Sequence, residues 1–171
     1  MNRKIFLIIF LPLIALLLLL LSACGASWQT VSQSGFTIEM PGKPVEEPQS
    51  ESGMTGNLYT VALNDEEFTF SYTDYQGTFN AANPEELLNA ATGGAVRSIN
   101  GTVTSERSLT LNGKPGKEII GDGTLPRSLT FISRIYWDSP RLYTVVYMRA
   151  RGTPVSANGE KFLNSFKLTA K

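Results

Sequence analysis

The chain has 171 residues, 42% of them hydrophobic and 18% charged, with 15 basic and 15 acidic side chains. That balance argues against disorder, and the length suits one domain able to bury a core without disulfides or metal. With no histidine and a single cysteine, zinc sites built on His or paired Cys, Ser-His-Asp and Cys-His triads, and internal disulfides are all excluded.

The N-terminus reads as an export signal. Arg3 and Lys4 make a positive start, residues 5–21 run without a charge, and Ser22, Ala23 and Cys24 follow. A basic start, an apolar run and small residues before a cut are the parts of a secretory signal. The run also approaches the ~20 apolar residues that cross a bilayer, so an uncleaved anchor is the competing reading. Leu21-Ser22-Ala23-Cys24 resembles the bacterial lipobox, in which the cysteine thiol takes a diacylglycerol and becomes the mature N-terminus. The expected division is a signal peptide over 1–23, a lipidated N-terminus and tether over 24–27, and one domain over 28–171. Both readings put the domain outside the cytoplasm, with Arg3 and Lys4 inside. Lipidation also accounts for a lone cysteine in an oxidising compartment.

Further on, residues 28–31 form a short candidate strand, and 36–40 alternate so that Phe36, Ile38 and Met40 share a face. Residues 45–57 are polar and read as a loop. Strands follow at 58–63 and 67–75, joined at Asn64-Asp65-Glu66, with Phe68, Phe70 and Tyr72 on one side of the second. Asn83 as cap, Pro84 in the first turn and Glu85-Glu86 at the positive end of the dipole start a helix with Leu87, Leu88 and Ala91 as its stripe; Gly93-Gly94 is expected to weaken or end it. Beyond it lie strands at 101–111 and 117–121 around Asn112-Gly113, a strong hairpin signal. Two long strands at 129–137 and 142–149 are apolar on both faces and read as central. Phe162, Leu163 and Phe166 have helical spacing and predict a helix over 157–165. Leaving the short candidate at 28–31 aside, the order β-β-β-α-β-β-β-β-α describes an α+β sandwich of about six to seven antiparallel strands flanked by helices.

Losing Arg3 and Lys4 leaves a net charge of −2, but unevenly spread: residues 24–96 hold ten acids and one base, residues 97–171 five acids and twelve bases. Either the two halves neutralise each other within one fold, or a basic face meets anionic lipid or an acidic partner. Arg127, Arg134, Arg141, Arg149 and Arg151 are the candidates for that face. No basic run with interleaved aromatics marks a nucleic-acid surface.

Candidates for chemistry are few. Asp65-Glu66-Glu67 lacks the spaced ligands of a calcium loop and reads as solvated turn charge. Glu46, Glu47 and Glu51 sit in the inferred loop. The glycines at 113, 116, 121 and 123 match no phosphate cradle, and no serine sits in a nucleophile elbow. Tyr136, Trp137, Tyr143 and Tyr147 read as core packing, with a partly open aromatic cleft as the alternative. No metal, cofactor or catalytic residue is expected.

Four segments, Gly35-Phe-Thr-Ile-Glu-Met-Pro-Gly-Lys-Pro44, Asn112-Gly-Lys-Pro-Gly-Lys-Glu-Ile119, Arg141-Leu-Tyr-Thr-Val145 and Phe162-Leu-Asn-Ser-Phe-Lys-Leu168, resemble the PsbP/Mog-like superfamily, in particular its small bacterial lipoproteins of the DcrB and cyanobacterial PsbP-like type. The resemblance implies an antiparallel sheet between helices, an α/β/α sandwich, and a binding or assembly role rather than catalysis. Some members serve photosystem II. Those open with an aromatic-rich YP-x-GW segment, where this chain has Met40-Pro-Gly-Lys-Pro44.

The expected protein is therefore a monomeric domain held to the membrane by an N-terminal lipid, on the periplasmic or outer surface, with a non-enzymatic role in an envelope complex. An auxiliary factor of photosystem II in a cyanobacterium and a small-ligand-binding lipoprotein are the alternatives. Labelled fatty acid should enter the wild-type chain and not Cys24→Ala. Equal labelling of both, or of neither, overturns the lipid anchor.

Overall fold

The computed structural model describes residues 27–51, 53–76 and 83–170. Residues 1–26, with the Leu21–Cys24 motif, lie outside the described residues. Among the described residues ten strands and two helices follow in order: β1 (Gln29–Gln33), β2 (Phe36–Met40), β3 (Val45–Glu51), β4 (Met54–Leu63), β5 (Glu66–Tyr75), α1 (Pro84–Ser98), β6 (Thr102–Leu111), β7 (Lys114–Gly123), β8 (Leu129–Asp138), β9 (Arg141–Ala150), α2 (Ala157–Ser165) and β10 (Lys167–Leu168). β1, β2 and β10 form a small sheet; the other seven strands form a large antiparallel one ordered β3-β4-β5-β9-β8-β7-β6. The class is α+β, as expected.

The large sheet is two meanders. β3-β4-β5 is one and β6-β7-β8-β9 the other, and they join where β5 pairs with β9. α1 makes this possible by carrying the chain from β5 to the far edge. Its signals act as the sequence implies: the Asn83 side chain accepts from the Glu85 N–H at 3.0 Å, with Pro84 and two acids in the first turn. Asn112 and Gly113 both hold positive φ, +51° and +76°, in the two-residue turn between β6 and β7.

Alternation divides the core between the two faces of the sheet. On one, Tyr59, Phe68, Phe70, Tyr136, Tyr143, Val145 and Tyr147 meet Phe36, Ile38 and Met40 of β2 and Phe162, Leu163 and Phe166 around α2. Ring pairs lock this layer: Phe36–Phe70 at 4.7 Å and Phe68–Phe162 edge-to-face at 5.5 Å. On the other face α1 packs against β7 and β8. Leu88 meets Ile135, Trp137 and Leu142, while Val96 and Ile99 meet Ile119, Leu129 and Phe131. β8 is buried on both faces, as a central strand should be.

Three expectations need correction. Residues 45–57 are not a loop: β3 and the start of β4 occupy them. Every side chain of β3 is exposed, so no burial pattern marks it, and an edge strand tolerates Pro48. Gly93-Gly94 does not end α1, which continues to Ser98 because Val96, just beyond the glycines, has apolar partners in the sheet. The hairpin arm read as 117–121 spans Lys114–Gly123.

Two glycines give opposite predictions. A Cβ at Gly159, in the first turn of α2, would lie 2.5 Å from Cζ of the buried Tyr147 ring. Gly159→Ala should therefore lift the helix and cost ~1–3 kcal/mol. A Cβ at Gly94 meets nothing within 4 Å, so Gly94→Ala should stabilise by up to ~1 kcal/mol through helix propensity. Denaturant midpoints of the two variants check both signs.

Candidate functional site

Register aligns one row of residues across all seven strands of the large sheet: Glu46, Tyr59, Phe70, Val145, Arg134, Glu118 and Arg107. Its middle is core. Its two ends carry the polar chemistry.

At the β3 end, Tyr59 Oη donates to Glu46 Oε1 at 2.9 Å, Asn57 Nδ2 donates to the same oxygen at 2.9 Å, and Gln33 Nε2 donates to Tyr59 Oη at 2.8 Å. Burial of the ring raises the Tyr59 pKa to about 12; Glu46 adds to the rise and the Asn57 hydrogen bond opposes it. The phenol is thus held neutral as a donor, a structural strut for the exposed edge.

At the other end Glu118, only 6% exposed, sits between two arginines. Arg134 Nε meets Glu118 Oε2 at 2.7 Å and Arg107 Nε meets Oε1 at 2.6 Å. Burial alone would raise the pKa of Glu118; the two guanidinium groups outweigh it and hold the carboxyl below its ordinary value. Arg134 Nη1 also donates to Leu163 O at 2.7 Å and Asn164 Oδ1 at 3.0 Å, tying the sheet to α2. An open cleft of about 450 Å³ lies here between α2 and β6–β8, with Arg107 on its outer wall. The trio carries one net positive charge, which Glu160 on the lining of the same cleft balances, and the Arg107 side chain is 62% exposed. Of these groups it is the exposed Arg107 guanidinium, and not the cleft as a whole, that is placed to meet an acidic group.

The five arginines singled out from the sequence do not converge. Arg134 belongs to this cleft. Arg141 makes a two-pronged pair with Asp74, 2.6 Å on each prong, donates to Ser34 O at 2.7 Å and lies over the Tyr72 ring at 4.4 Å. Arg149 Nε donates to Thr153 O at 2.7 Å. Arg127 pairs with Asp65 at 3.3 Å and Arg151 with Asp122 at 3.4 Å. Arg141 and Arg149 stand at opposite ends of β9, about 26 Å apart at strand rise. Nor do the two halves of the sequence simply neutralise each other. Among the described residues Arg127–Asp65, Arg141–Asp74 and Lys161–Glu39 cross between them, whereas Arg107–Glu118, Lys114–Asp138, Lys117–Glu106, Arg134–Glu118 and Arg151–Asp122 lie within the second half.

Asp65, Glu66 and Glu67 go to separate partners: Arg127, the Tyr147 hydroxyl and the Thr69 hydroxyl. Tyr136, Trp137, Tyr143 and Tyr147 are all buried, so core packing is their role. Sequence reasoning passed over Glu118, Arg107 and Lys117. The available signal was Lys117-Glu118 inside a strand otherwise rich in glycine and isoleucine, where adjacent charges of opposite sign must face opposite sides. Lys117 does face the other side, where it reaches Glu106 and Asn89.

No family model matches this chain, and no curated protein matches it. Among solved structures, the solution structure of cyanobacterial PsbP (CyanoP) from Synechocystis sp. PCC 6803 superposes with a TM-score of 0.62 at 10% identity, covering 86% of this chain and 96% of that one. The fold is PsbP-like. A crystal structure of a protein of unknown function, PA94 from Pseudomonas aeruginosa, aligns at a TM-score of 0.44 and 8% identity, over 72% of this chain and 83% of that one. At 10% identity to CyanoP the likeness is one of fold, and the PsbP-like scaffold leaves the Arg107–Glu118–Arg134 trio to be judged on its own geometry.

Glu118→Ala leaves the partly buried Arg134 without its counter-charge and should cost ~3 kcal/mol, the low end for a broken buried pair because both guanidinium groups keep some access to solvent. The lowered carboxyl pKa means that this contribution is complete above the ordinary glutamate pKa of ~4.3 and is lost as pH falls through the depressed value. The stability gap between wild type and Glu118→Gln should therefore shrink on acidification below ~pH 4, as followed by chemical denaturation across pH.

Proposed function

We propose that this chain is a lipid-anchored protein of the extracytoplasmic face with a non-enzymatic accessory role, holding its PsbP-like domain against an envelope complex close to the bilayer. The carrying observation is the start of β1. Gln29 is already in a strand, and Trp28 packs against the core with Lys161 Nζ 3.9 Å from its ring centroid. Between a lipidated Cys24 and this ordered body stand Gly25, Ala26 and Ser27. Three extended residues reach ~10 Å, about one Debye length at physiological salt. A domain so tethered rides on the membrane instead of projecting from it.

The fold shared with CyanoP supports an accessory role, and the polar groups support the same reading. Arg107, Arg134 and Arg141 are held by ion pairs that brace the sheet, and the exposed guanidinium of Arg107 is the group left to meet an acidic partner. Arginines that turn to anionic headgroups add ~1 kcal/mol each near the surface. In a cyanobacterial host photosystem II is the complex to test first, although Met40–Pro44 replaces the aromatic opening of photosystem members and here connects β2 to β3, with Met40 and Pro41 buried and Lys43 exposed.

Hydrogen exchange on the full lipidated chain in liposomes tests the geometry. Slow exchange through β1, together with added protection on one surface relative to the detergent-solubilised chain, is expected. Fast exchange throughout residues 25–35 with no protected surface overturns it.

A further inference from the structure

Among the described residues α1 packs chiefly over β7 and β8, reaches β9 at Leu142 through Leu88, and has β4, β5 and the rest of β9 beside it. Along this margin a groove of about 200 Å³ opens. Ala95 and Ile99 wall it on the helix side, and Phe131, Val146 and Met148 give it an apolar floor. Ser133 also lines it; that residue is 1% exposed and its Oγ has no hydrogen-bond partner. Thr92, one turn before Ala95 on α1, holds a second buried hydroxyl without a partner. Buried hydroxyls are ordinarily paired, because leaving one unmade is costly. Here an unpaired hydroxyl lines an apolar groove beside an uncovered part of the sheet.

We propose that this groove binds a short neutral amphiphile, with its apolar body along Phe131, Val146 and Met148 and a hydroxyl or carbonyl oxygen against Ser133 Oγ. The volume sets the size. An apolar cavity of ~150 Å³ holds benzene, so about 200 Å³ holds about eight non-hydrogen atoms. The charge sets the class. Glu67 is the single charged residue lining the groove, and it repels the carboxylate of a fatty acid while leaving an alcohol or ketone unopposed. The inference is independent of the accessory role, since a protein with or without a membrane partner would show it.

The test uses the full chain in nanodiscs, with 1-heptanol, heptanoate and toluene as probes, empty nanodiscs to fix the free concentration, and methyl NMR as readout. Heptanol should give saturable shifts at Ala95, Val146 and Met148, and heptanoate should bind more weakly. Ser133→Ala should weaken heptanol about five-fold, the worth of one hydrogen bond, and leave toluene unchanged. Ala95→Phe should fill the groove and abolish both; if that variant does not fold, Ala95→Leu should weaken both. The absence of saturable shifts, their persistence in the folded Ala95→Phe variant, or an equal effect of Ser133→Ala on heptanol and toluene each overturns the proposal.

Discussion

β5 and β9 lie some seventy residues apart in sequence and pair antiparallel along nearly their whole length, from Glu66 opposite Arg149 to Asp74 opposite Arg141. Without this pairing the protein is two separate meanders, each with an open apolar edge. With it, Phe68 meets Tyr147, Phe70 meets Val145 and Tyr72 meets Tyr143 across one seam, where large cross-strand pairs are the unit of sheet stabilisation. Both ends of the seam are tied by polar side chains: the two-pronged Arg141–Asp74 pair at one, and the Tyr147 hydroxyl on Glu66 at the other. Because all of these are long-range contacts, loop closure must precede most of the reward, and the fold should form slowly for its size.

The seam also decides what each face can do. The face it presents to β2 and α2 is filled with rings and keeps its polar groups at the rim, at Glu46–Tyr59, at Arg107–Glu118–Arg134 and at the Arg141–Asp74 and Tyr147–Glu66 ends of the seam. Among the described residues the opposite face has a single helix, which lies chiefly over β7 and β8 and touches the seam only at its Leu142 end. The partly covered strip beside it, with Leu58, Thr60, Thr69 and Val146, is where the groove forms. A closed fold and an incompletely covered face therefore have the same cause: one crossover helix is too narrow to cover a seven-stranded sheet, since a helix is ~10 Å wide and strands lie ~4.8 Å apart.

The charge asymmetry of the sequence suggests two halves attracted to each other. The structure assigns a more local cause. Arg107, Glu118 and Arg134 come from three adjacent strands of the second meander, and Lys117–Glu106 from two of them. Basic residues of the second half mostly serve acids of that half, while Glu46, Glu47 and Glu51 of the first stay on the exposed edge strand β3. An edge strand bearing charges and a proline resists pairing with another chain, which gives those acids a role that total charge does not reveal.

What the sequence determined by itself was whatever rests on neighbours along the chain. The alternation at 67–75, the Asn83-Pro84 start of α1, the Asn112-Gly113 turn and the Phe162–Phe166 helix are local rules of dihedral preference, capping and periodicity, and each stands as read. β3 escaped because a fully exposed edge strand carries no apolar alternation, and the continuation of α1 beyond Gly93-Gly94 escaped because packing against Ile119, Leu129 and Phe131 outweighs the weak local preference of glycine. The sites were less legible than the fold. Arg134 was visible as a basic residue, but the carboxylate that holds it lies in a different strand, and the unpaired hydroxyl of Ser133 is one serine among many until the sheet buries it. Register across strands is set by the joint burial of both faces, a property of the assembled sheet and of no single segment, so the partners of a charged or buried polar side chain are decided only when the tertiary structure closes.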